Sequence, residues 1–266
     1  MYFFRIALPG GEEQTLQYAL EDGQGMLKKV EEFKARGLHV TFAGREDALR
    51  HAVLQGEQAA SMLLKGLTVH YLVFTTYPVK KGETVLWHAA AGGVGLIACQ
   101  WLKALGVTTI GTAGSAEKLA LAKAHGADHL INYSTEDWVK RVKEFTGGKG
   151  VPVVYDSVGK STWEGSLDCL RPRGLIVSFG NASGAVAPVN LGILSTKGSL
   201  YVTRPTLATH IASRADLVER SNALFDIVSS GKVKIETTKK YKLADAAQAH
   251  RDLESRKTTG SVILTP

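Results

Sequence analysis

The chain has 266 residues, a formal net charge of +7 and an apolar fraction of 44%, which is typical of a globular protein of one or two domains. Its two cysteines, Cys99 and Cys169, have no metal-binding spacing, which argues against a disulfide framework or structural zinc and favours a reducing compartment. No apolar run reaches the ~20 residues of a membrane span, and residues 1–5 lack the layout of a signal peptide. We therefore expect a cytoplasmic protein with no membrane partner.

Residues 1–55 predict a short α+β cap. Residues 2–8 and 15–20 suit a hairpin around a Pro-Gly-Gly turn. Apolar residues at helical spacing predict a helix over 26–33, alternation predicts a strand over 38–42, and residues 45–53 suit a second helix. The segment is too short for an independent catalytic domain with a sizeable core.

Strands and helices alternate from about residue 58 onward. Strands are predicted at 84–88, 107–112, 129–133, 151–156, 174–179 and 199–203, with helices at 96–105, 116–125, 135–145 and 163–170 and an irregular connection at 189–194. A helix over 58–72 precedes them, and helices over 215–229 and 244–255, an extended segment at 234–236 and a strand over 261–264 follow. This order predicts an α/β fold with a doubly wound parallel (Rossmann) sheet of strand order 3-2-1-4-5-6. The ligand then lies at the carboxyl ends of the first and fourth strands.

A glycine-rich turn joins the first strand of this sheet to its helix. Residues 88–95 spell His-Ala-Ala-Ala-Gly-Gly-Val-Gly, which matches G-x-G-x-x-G except that Ala90 replaces the first glycine. Gly92 lets a phosphate approach the backbone, and the free N–H groups of Gly93 and Val94 at the helix start would face it. The turn therefore predicts a pyrophosphate-binding site.

The tip of the second strand predicts which dinucleotide binds. A domain built for NAD places an acidic residue there to bind the ribose 2′-hydroxyl. Here the strand is followed by Gly114 and Ser115, with Lys118 nearby, a combination that suits a 2′-phosphate. We therefore expect NADPH as the cofactor, with the alternative that Lys118 is only a solvated lysine in the first turn of a helix.

Residues 57–266 closely resemble a known family along most of their length. The similarity includes the segments Lys65-Gly66-Leu67-Thr68, residues 88–98, Ile131-Asn132-Tyr133, residues 154–159, residues 178–184, Val202-Thr203-Arg204-Pro205 and Glu254-Ser255-Arg256. They resemble the NADPH-dependent quinone oxidoreductases, the zinc-free, zeta-crystallin-like branch of the medium-chain dehydrogenases/reductases. The resemblance implies hydride transfer from NADPH to a quinone, no metal, and a homodimer formed through the edge strand at 198–204, with Leu200 and Val202 as contacts.

The resemblance and the strand order also imply further cofactor contacts. They are Thr68 before the sheet, Tyr133 at the adenosine end, Ser157 and Val158 after the fourth strand, Phe179, Gly180 and Ser183 after the fifth, and Arg256 at the phosphates. Four of them have a structural alternative: Thr68 as a helix-internal hydroxyl, Tyr133 and Phe179 as core residues, and Arg256 as an exposed helix-end arginine. His88 and Asp156 are interpreted as structural residues at strand ends, and no catalytic residue is assigned, because the cofactor carries the chemistry.

Residues 1–55 depart from the family. Its members have a larger N-terminal catalytic domain, whose asparagine has no counterpart here because no asparagine precedes Asn132. We expect three parts: a cap over 1–55 that replaces most of that domain, an NADPH-binding domain over 56–232, and a tail over 233–266 that packs against the cap. The final strand is expected to pair with the strands at 2–8 and 38–42.

Two alternative functions remain open at this point. A chain without the substrate half of the cleft could be an NADPH-binding module that does not turn over. The basic segments at 232–234 and 239–242 suggest a nucleic-acid-binding role, but no aromatic and basic binding motif accompanies them. The sequence therefore favours the dinucleotide over nucleic acid as the partner.

Overall fold

The computed structural model describes residues 2–7, 13–18, 32, 39–42, 56–255 and 257–265, and it divides into two compact units, Met1–Ala59 and Ala60–Pro266. The first unit contains an antiparallel sheet of β1 (Tyr2–Ala7), β2 (Glu13–Tyr18) and β3 (His39–Phe42) in the order β2-β1-β3. The predicted hairpin and third strand are confirmed. The helices predicted at 26–33 and 45–53 lie outside the described residues, except for Glu32, which is helical.

The second unit is built on a six-stranded parallel sheet. Its strands are β4 (Thr84–Trp87), β5 (Thr108–Ala113), β6 (His129–Asn132), β7 (Val151–Asp156), β8 (Leu170–Ser178) and β9 (Tyr201–Thr203). Their order is β6-β5-β4-β7-β8-β9, and every neighbouring pair is parallel. The predicted order 3-2-1-4-5-6 is therefore confirmed, and the order reverses between β4 and β7.

Helices connect and flank these strands. They are α1 (Gly56–His70), continued by a π-helical turn (Tyr71–Thr76), α2 (Gly93–Ala104), α3 (Ala116–Ala124), α4 (Trp138–Phe145), α5 (Trp163–Asp168), α6 (Gly192–Thr196), α7 (Leu207–His210), α8 (Arg214–Ser229) and α9 (Ala246–Glu254), which a 3-10 turn (Leu243–Asp245) precedes. Ser115, Asp137 and Ser213 cap α3, α4 and α8 by accepting a backbone N–H. Among the helices that the structure describes, none is both long and apolar enough to span a bilayer.

The core lies on both faces of the parallel sheet. Leu86, Ile110, Val154 and Ile176, from four adjacent strands, are all completely buried. Side chains of α4 and α5, including Trp138 and Trp163, pack against the same cluster. Because burial on both faces fixes these strands, the loops at their carboxyl ends have a rigid base.

The C-terminal strand has a different partner from the predicted one. β11 (Ser261–Thr265) pairs in parallel with β10 (Thr237–Lys242) in a two-stranded sheet, whereas the N-terminal strands pair with each other. The expected pairing of the final strand with residues 2–8 and 38–42 is therefore wrong. The extended segment predicted at 234–236 lies just before β10, which begins at Thr237. The sequence of β10, Thr-Thr-Lys-Lys-Tyr-Lys, has little apolar patterning and therefore does not predict a strand. The packing of the tail against the cap stays a prediction.

A buried histidine couples the stability of this unit to pH. His70, at the end of α1, lies against the rings of Phe74 and Trp101, and its Nδ1 is 3.4 Å from the guanidinium of Arg220. Burial, and secondly the charge of Arg220, lowers the pKa of His70 to about 4. The folded chain therefore holds this side chain neutral at pH values where an unfolded chain, with a histidine pKa of about 6.5, binds a proton.

We expect the free energy of unfolding to fall as the pH is lowered from 7 to 5, because the contribution of neutral His70 is complete above about pH 6.5 and is lost towards pH 4. One such site gives a slope of at most about 1.4 kcal/mol per pH unit. His70→Asn keeps an acceptor for Arg220 but cannot be charged, so urea unfolding at several pH values should show a shallower slope. His250→Asn, at an exposed position, is the control, and an unchanged slope in His70→Asn would contradict the assignment.

Candidate functional site

The turn between β4 and α2 is closely packed against its own backbone. Ala89 has a left-handed backbone (φ 54°), and the N–H of Gly92 donates to the carbonyl of Ala89 at 2.9 Å. A Cβ at Gly95 would lie 2.5 Å from the carbonyl oxygens of Ala89 and Ala90, which leaves no space for a side chain. This contact sets α2 directly against the turn. The N–H groups of the first turn of α2, which begins at Gly93, have no partner within the helix.

A cleft of about 190 Å³ lies at this turn, on the carboxyl side of β4, β5 and β7. Its lining consists of Ala89, Ala91, Gly92, Gly93, Ala113, Gly114, Lys118, Tyr133, Val158, Ala182, Leu253, Thr258, Thr259 and Gly260. None of these residues is acidic, and Lys118 is basic, so the cleft suits an anionic ligand. Six predicted site residues meet here: Gly92, Gly93, Gly114, Lys118, Tyr133 and Val158.

The β5 end of the cleft contains Gly114 and Lys118, two of the three residues predicted for a 2′-phosphate, and Tyr133, which was predicted for the adenosine end. The hydroxyl of Tyr133 lies over Gly114, 2.7 Å from the point where a Cβ would stand. Tyr133 is 39% exposed, so the alternative that it is a core tyrosine is wrong. The hydroxyl of Ser115 accepts the backbone N–H of Lys118 at 3.4 Å as the cap of α3. A glycine, a lysine and a phenol therefore surround one end of the cleft.

The other predicted contacts are not among the residues that line this cleft. They are Thr68, Val94, Ser115, Ser157, Phe179, Gly180 and Ser183. The Thr68 hydroxyl donates to the carbonyl of Leu64 at 2.8 Å, as the structural alternative requires. Phe179 packs beside Trp87, with ring centroids 5.8 Å apart. Arg256 lies outside the described residues, so its predicted contact remains a prediction.

Two loops after β7 and β8 are joined to each other by hydrogen bonds. The Ser183 hydroxyl donates to the carbonyl of Val158 at 2.8 Å and accepts the N–H of Ser161 at 3.0 Å. A Cβ at Gly180 would lie 2.4 Å from the carbonyl oxygen of Ser157. The Arg204 guanidinium donates to the carbonyl of Gly180 at 3.0 Å. Ser157, Gly180 and Ser183 therefore hold Val158, which lines the cleft, in place. We call these four residues the wall of the cleft.

A buried network of hydrogen bonds around Asp156 holds the loop that contains Ser157 and Val158. The Asp156 carboxylate accepts the N–H groups of Val158 and Gly159 at 2.8 and 2.9 Å, the Thr162 hydroxyl at 2.7 and 2.9 Å, and the Ser166 hydroxyl at 2.9 Å. Because Ser166 donates to Asp156, its oxygen accepts from Nε2 of His88 at 3.1 Å, and Nδ1 of His88 accepts from Thr112 at 2.9 Å.

The side chains of His88 and Asp156 therefore have structural roles. Both are 1% exposed, and burial lowers the pKa of His88 although the charge of Asp156 opposes that effect. A histidine held neutral between two hydroxyl groups has no free proton or lone pair for a substrate. The geometry agrees with the interpretation that neither residue is an acid or base of the reaction.

The C-terminal segment contributes to the cleft, although the sequence did not predict it. Leu253, Thr258, Thr259 and Gly260 line the cleft, and Gly260 forms a parallel bridge to Gly92. The N–H of Gly260 donates to the carbonyl of Ala91 at 3.3 Å. No local motif marks these residues, because their position depends on a contact between segments about 170 residues apart in the chain.

The described residues contain no group of three or more His, Cys, Asp or Glu side chains that could hold a metal ion.

Comparison with known proteins agrees with this geometry. A family model described as zinc-binding dehydrogenase matches residues 93–219. The chain is 59% identical over 221 residues to quinone oxidoreductase 1 of Escherichia coli (strain K12), covering 82% of this chain and 68% of that protein. The chain belongs to the quinone oxidoreductase family.

Two further comparisons support that assignment. Quinone oxidoreductase of Pseudomonas aeruginosa is 59% identical over 210 residues, 79% of this chain and 65% of that protein. The crystal structure of Escherichia coli quinone oxidoreductase complexed with NADPH superposes with a TM-score of 0.80 and 55% identity, covering 86% of this chain and 71% of that one. This chain spans only 65% to 68% of the length of these two curated relatives.

We expect Gly95→Ala to lower the free energy of unfolding by about 1–3 kcal/mol, because the methyl group would overlap two backbone carbonyls that cannot move independently. Gly192→Ala is the matched control, since its methyl would meet only the Asn190 side chain, at 3.2 Å. The control should stay within about 0.5 kcal/mol of the unmutated chain in urea unfolding. Equal stability of both variants would contradict the packing argument.

Proposed function

We propose that this chain binds NADPH in the cleft beside the glycine turn and uses it to reduce a quinone. The observation that carries the proposal is the shape and charge of the cleft: the start of α2 at Gly93 lies at one end, and Lys118 and Tyr133 lie at the other. Sequence identity of 59% to quinone oxidoreductases over about four fifths of the chain supports the same function.

The residues present fit this cofactor. The N–H groups of Gly93 and Val94 would donate hydrogen bonds to the pyrophosphate at the start of α2. The absence of a side chain at Gly114 lets the Tyr133 ring lie against the backbone there. Lys118 lines the same end of the cleft and would bind the 2′-phosphate by a charge-assisted hydrogen bond. No acidic side chain lines the cleft to select NAD(H) or to repel the extra phosphate. We therefore propose a preference for NADPH over NADH.

The bound cofactor supplies a hydride, and the chain positions the ring that carries it. In our proposal the wall built by Ser157, Val158, Gly180 and Ser183 borders the nicotinamide end, with Phe179 held behind it against Trp87. This wall is rigid because Asp156 anchors one of its loops and Arg204 the other. The residues therefore act by orientation, without proton transfer through His88 or Asp156.

We propose the cytoplasm as the site of action, where the two free, buried thiols of Cys99 and Cys169 would stay reduced.

The decisive experiment is a titration with NADPH followed by measurement of NADPH consumption with a small naphthoquinone. The proposal expects saturable binding and consumption that depends on the quinone. Binding without consumption would show that the chain is an NADPH-binding module. Absence of binding would contradict the proposed function.

We also propose a homodimer through the β9 edge of the main sheet. β9 is the last strand in the order, and Tyr201 and Val202 are 62% and 42% exposed there. An exposed apolar edge strand is suited to pairing with a second copy. Leu200, which the sequence suggested as a contact, is buried in the core and cannot contribute.

Lys118→Ala should weaken NADPH binding about tenfold or more and leave NADH binding nearly unchanged, because a charge-assisted hydrogen bond contributes about 1.5–3 kcal/mol. Fluorescence titration with both nucleotides measures the change. Lys123→Ala, which removes an exposed lysine at the other end of α3, should affect neither. Equal weakening for the two nucleotides would show that Lys118 does not contact the 2′-phosphate.

Val202→Lys should convert the proposed dimer to a monomer, because a lysine on an edge strand opposes pairing with another edge. Sedimentation velocity at micromolar concentration measures the molecular mass. Val218→Lys is the control, since Val218 is also exposed, at 40%, but belongs to α8 and not to a strand. An unmutated chain that sediments as a monomer would contradict the proposal.

A further inference from the structure

One lysine of α1 lies against the glycine turn. The Cε and Cδ atoms of Lys65 lie 2.5 and 2.7 Å from the point where a Cβ of Gly93 would stand. Because Nζ is one bond of ~1.5 Å beyond Cε, the amine lies within about 4 Å of the same point. Gly93 is the first residue of α2 and lines the cleft, so a positive charge stands beside the helix start.

Hydrogen bonds of α1 near Lys65 determine the side from which this residue reaches the glycine turn. One helical turn earlier, Ser61 is fully buried, its hydroxyl is 2.8 Å from that of Thr237, and its carbonyl accepts the Ser261 hydroxyl at 3.1 Å. These bonds hold α1 against the start of β11, next to Gly260. The carbonyl oxygen of Gly260 is itself 2.7 Å from the Cβ point of Gly93. Lys65 therefore approaches the turn from the α1 side, beside Gly260.

The amine of Lys65 has no anionic partner among the described residues. No carboxylate of the described part of the chain lies within ion-pair distance of it. Lys65 is only partly exposed, and burial lowers the pKa of its amine. A partly buried ammonium beside the positive end of a helix is unfavourable unless an anion joins both.

We propose that Lys65 is a pyrophosphate-binding residue: its ammonium neutralises the diphosphate of the dinucleotide held at the N–H groups of Gly93 and Val94. This inference rests on the proposed function. In the complex the terminal torsions of Lys65 would turn its amine towards a phosphate oxygen. Lys118, in the first turn of α3, would bind the 2′-phosphate, so each lysine would bind a different phosphate group of NADPH.

The separate roles of Lys65 and Lys118 can be tested because NADPH and NADH share the diphosphate, whereas only NADPH has the 2′-phosphate. Lys65→Met removes the charge and keeps the length of the side chain against Gly93. Its affinities for NADPH and NADH should both fall about tenfold, by the same factor, in fluorescence titrations. The dependence of binding on salt should also become shallower than in the unmutated chain. Lys65→Arg should restore most of the affinity, and Lys123→Met serves as the control.

The outcomes separate this inference from the function on which it rests. Unchanged affinity in Lys65→Met, or a loss confined to NADPH, would overturn the role of Lys65 while the cofactor assignment stands. An unmutated chain that binds neither nucleotide would instead contradict the proposed function. Circular dichroism and the melting temperature identify a misfolded variant. If Lys65→Met misfolds, Lys65→Gln is measured instead. An equal loss of affinity for NADPH and NADH is again expected, and unchanged affinity or a loss confined to NADPH would again overturn the role of Lys65.

Discussion

The contact between Gly95 and the carbonyl oxygens of Ala89 and Ala90 is the constraint on which the site depends. It allows the first turn of α2 to lie directly on the end of β4. Any side chain at this position would separate the helix from the strand. Because the helix start is fixed by a contact within the backbone, its N–H groups are oriented before a ligand arrives, and binding need not order them.

The opposite wall of the cleft is oriented by polar contacts instead. Asp156 anchors the loop after β7, and that loop in turn holds the loop after β8 through Val158 and Ser183. Burial keeps His88 neutral and makes it a connector between Thr112 on β5 and Ser166 on α5. The cleft therefore combines a backbone-packed side with a hydrogen-bonded side, and on the second side His88 and Asp156 have structural roles.

The sequence predicted the parts of the molecule that depend on local pattern. Short apolar runs separated by helical stretches gave the parallel sheet and its order, and the glycines gave the turn. It failed where position depends on distant contacts. Leu253 and Thr258 reach the cleft through the junction at Gly260, and β10 pairs with β11 although its residues are mostly polar. Thr68 was ambiguous because a helix-internal hydroxyl has the same sequence context as a ligand contact.

The central claim is that one cleft binds the whole dinucleotide between the glycine turn and the end of β5. A crystal structure of the chain grown with NADPH tests it most directly. The account predicts the diphosphate at the N–H groups of Gly93 and Val94, and the 2′-phosphate within hydrogen-bonding distance of Lys118. Nucleotide density elsewhere, or a cleft that stays empty at saturating NADPH, would contradict the account.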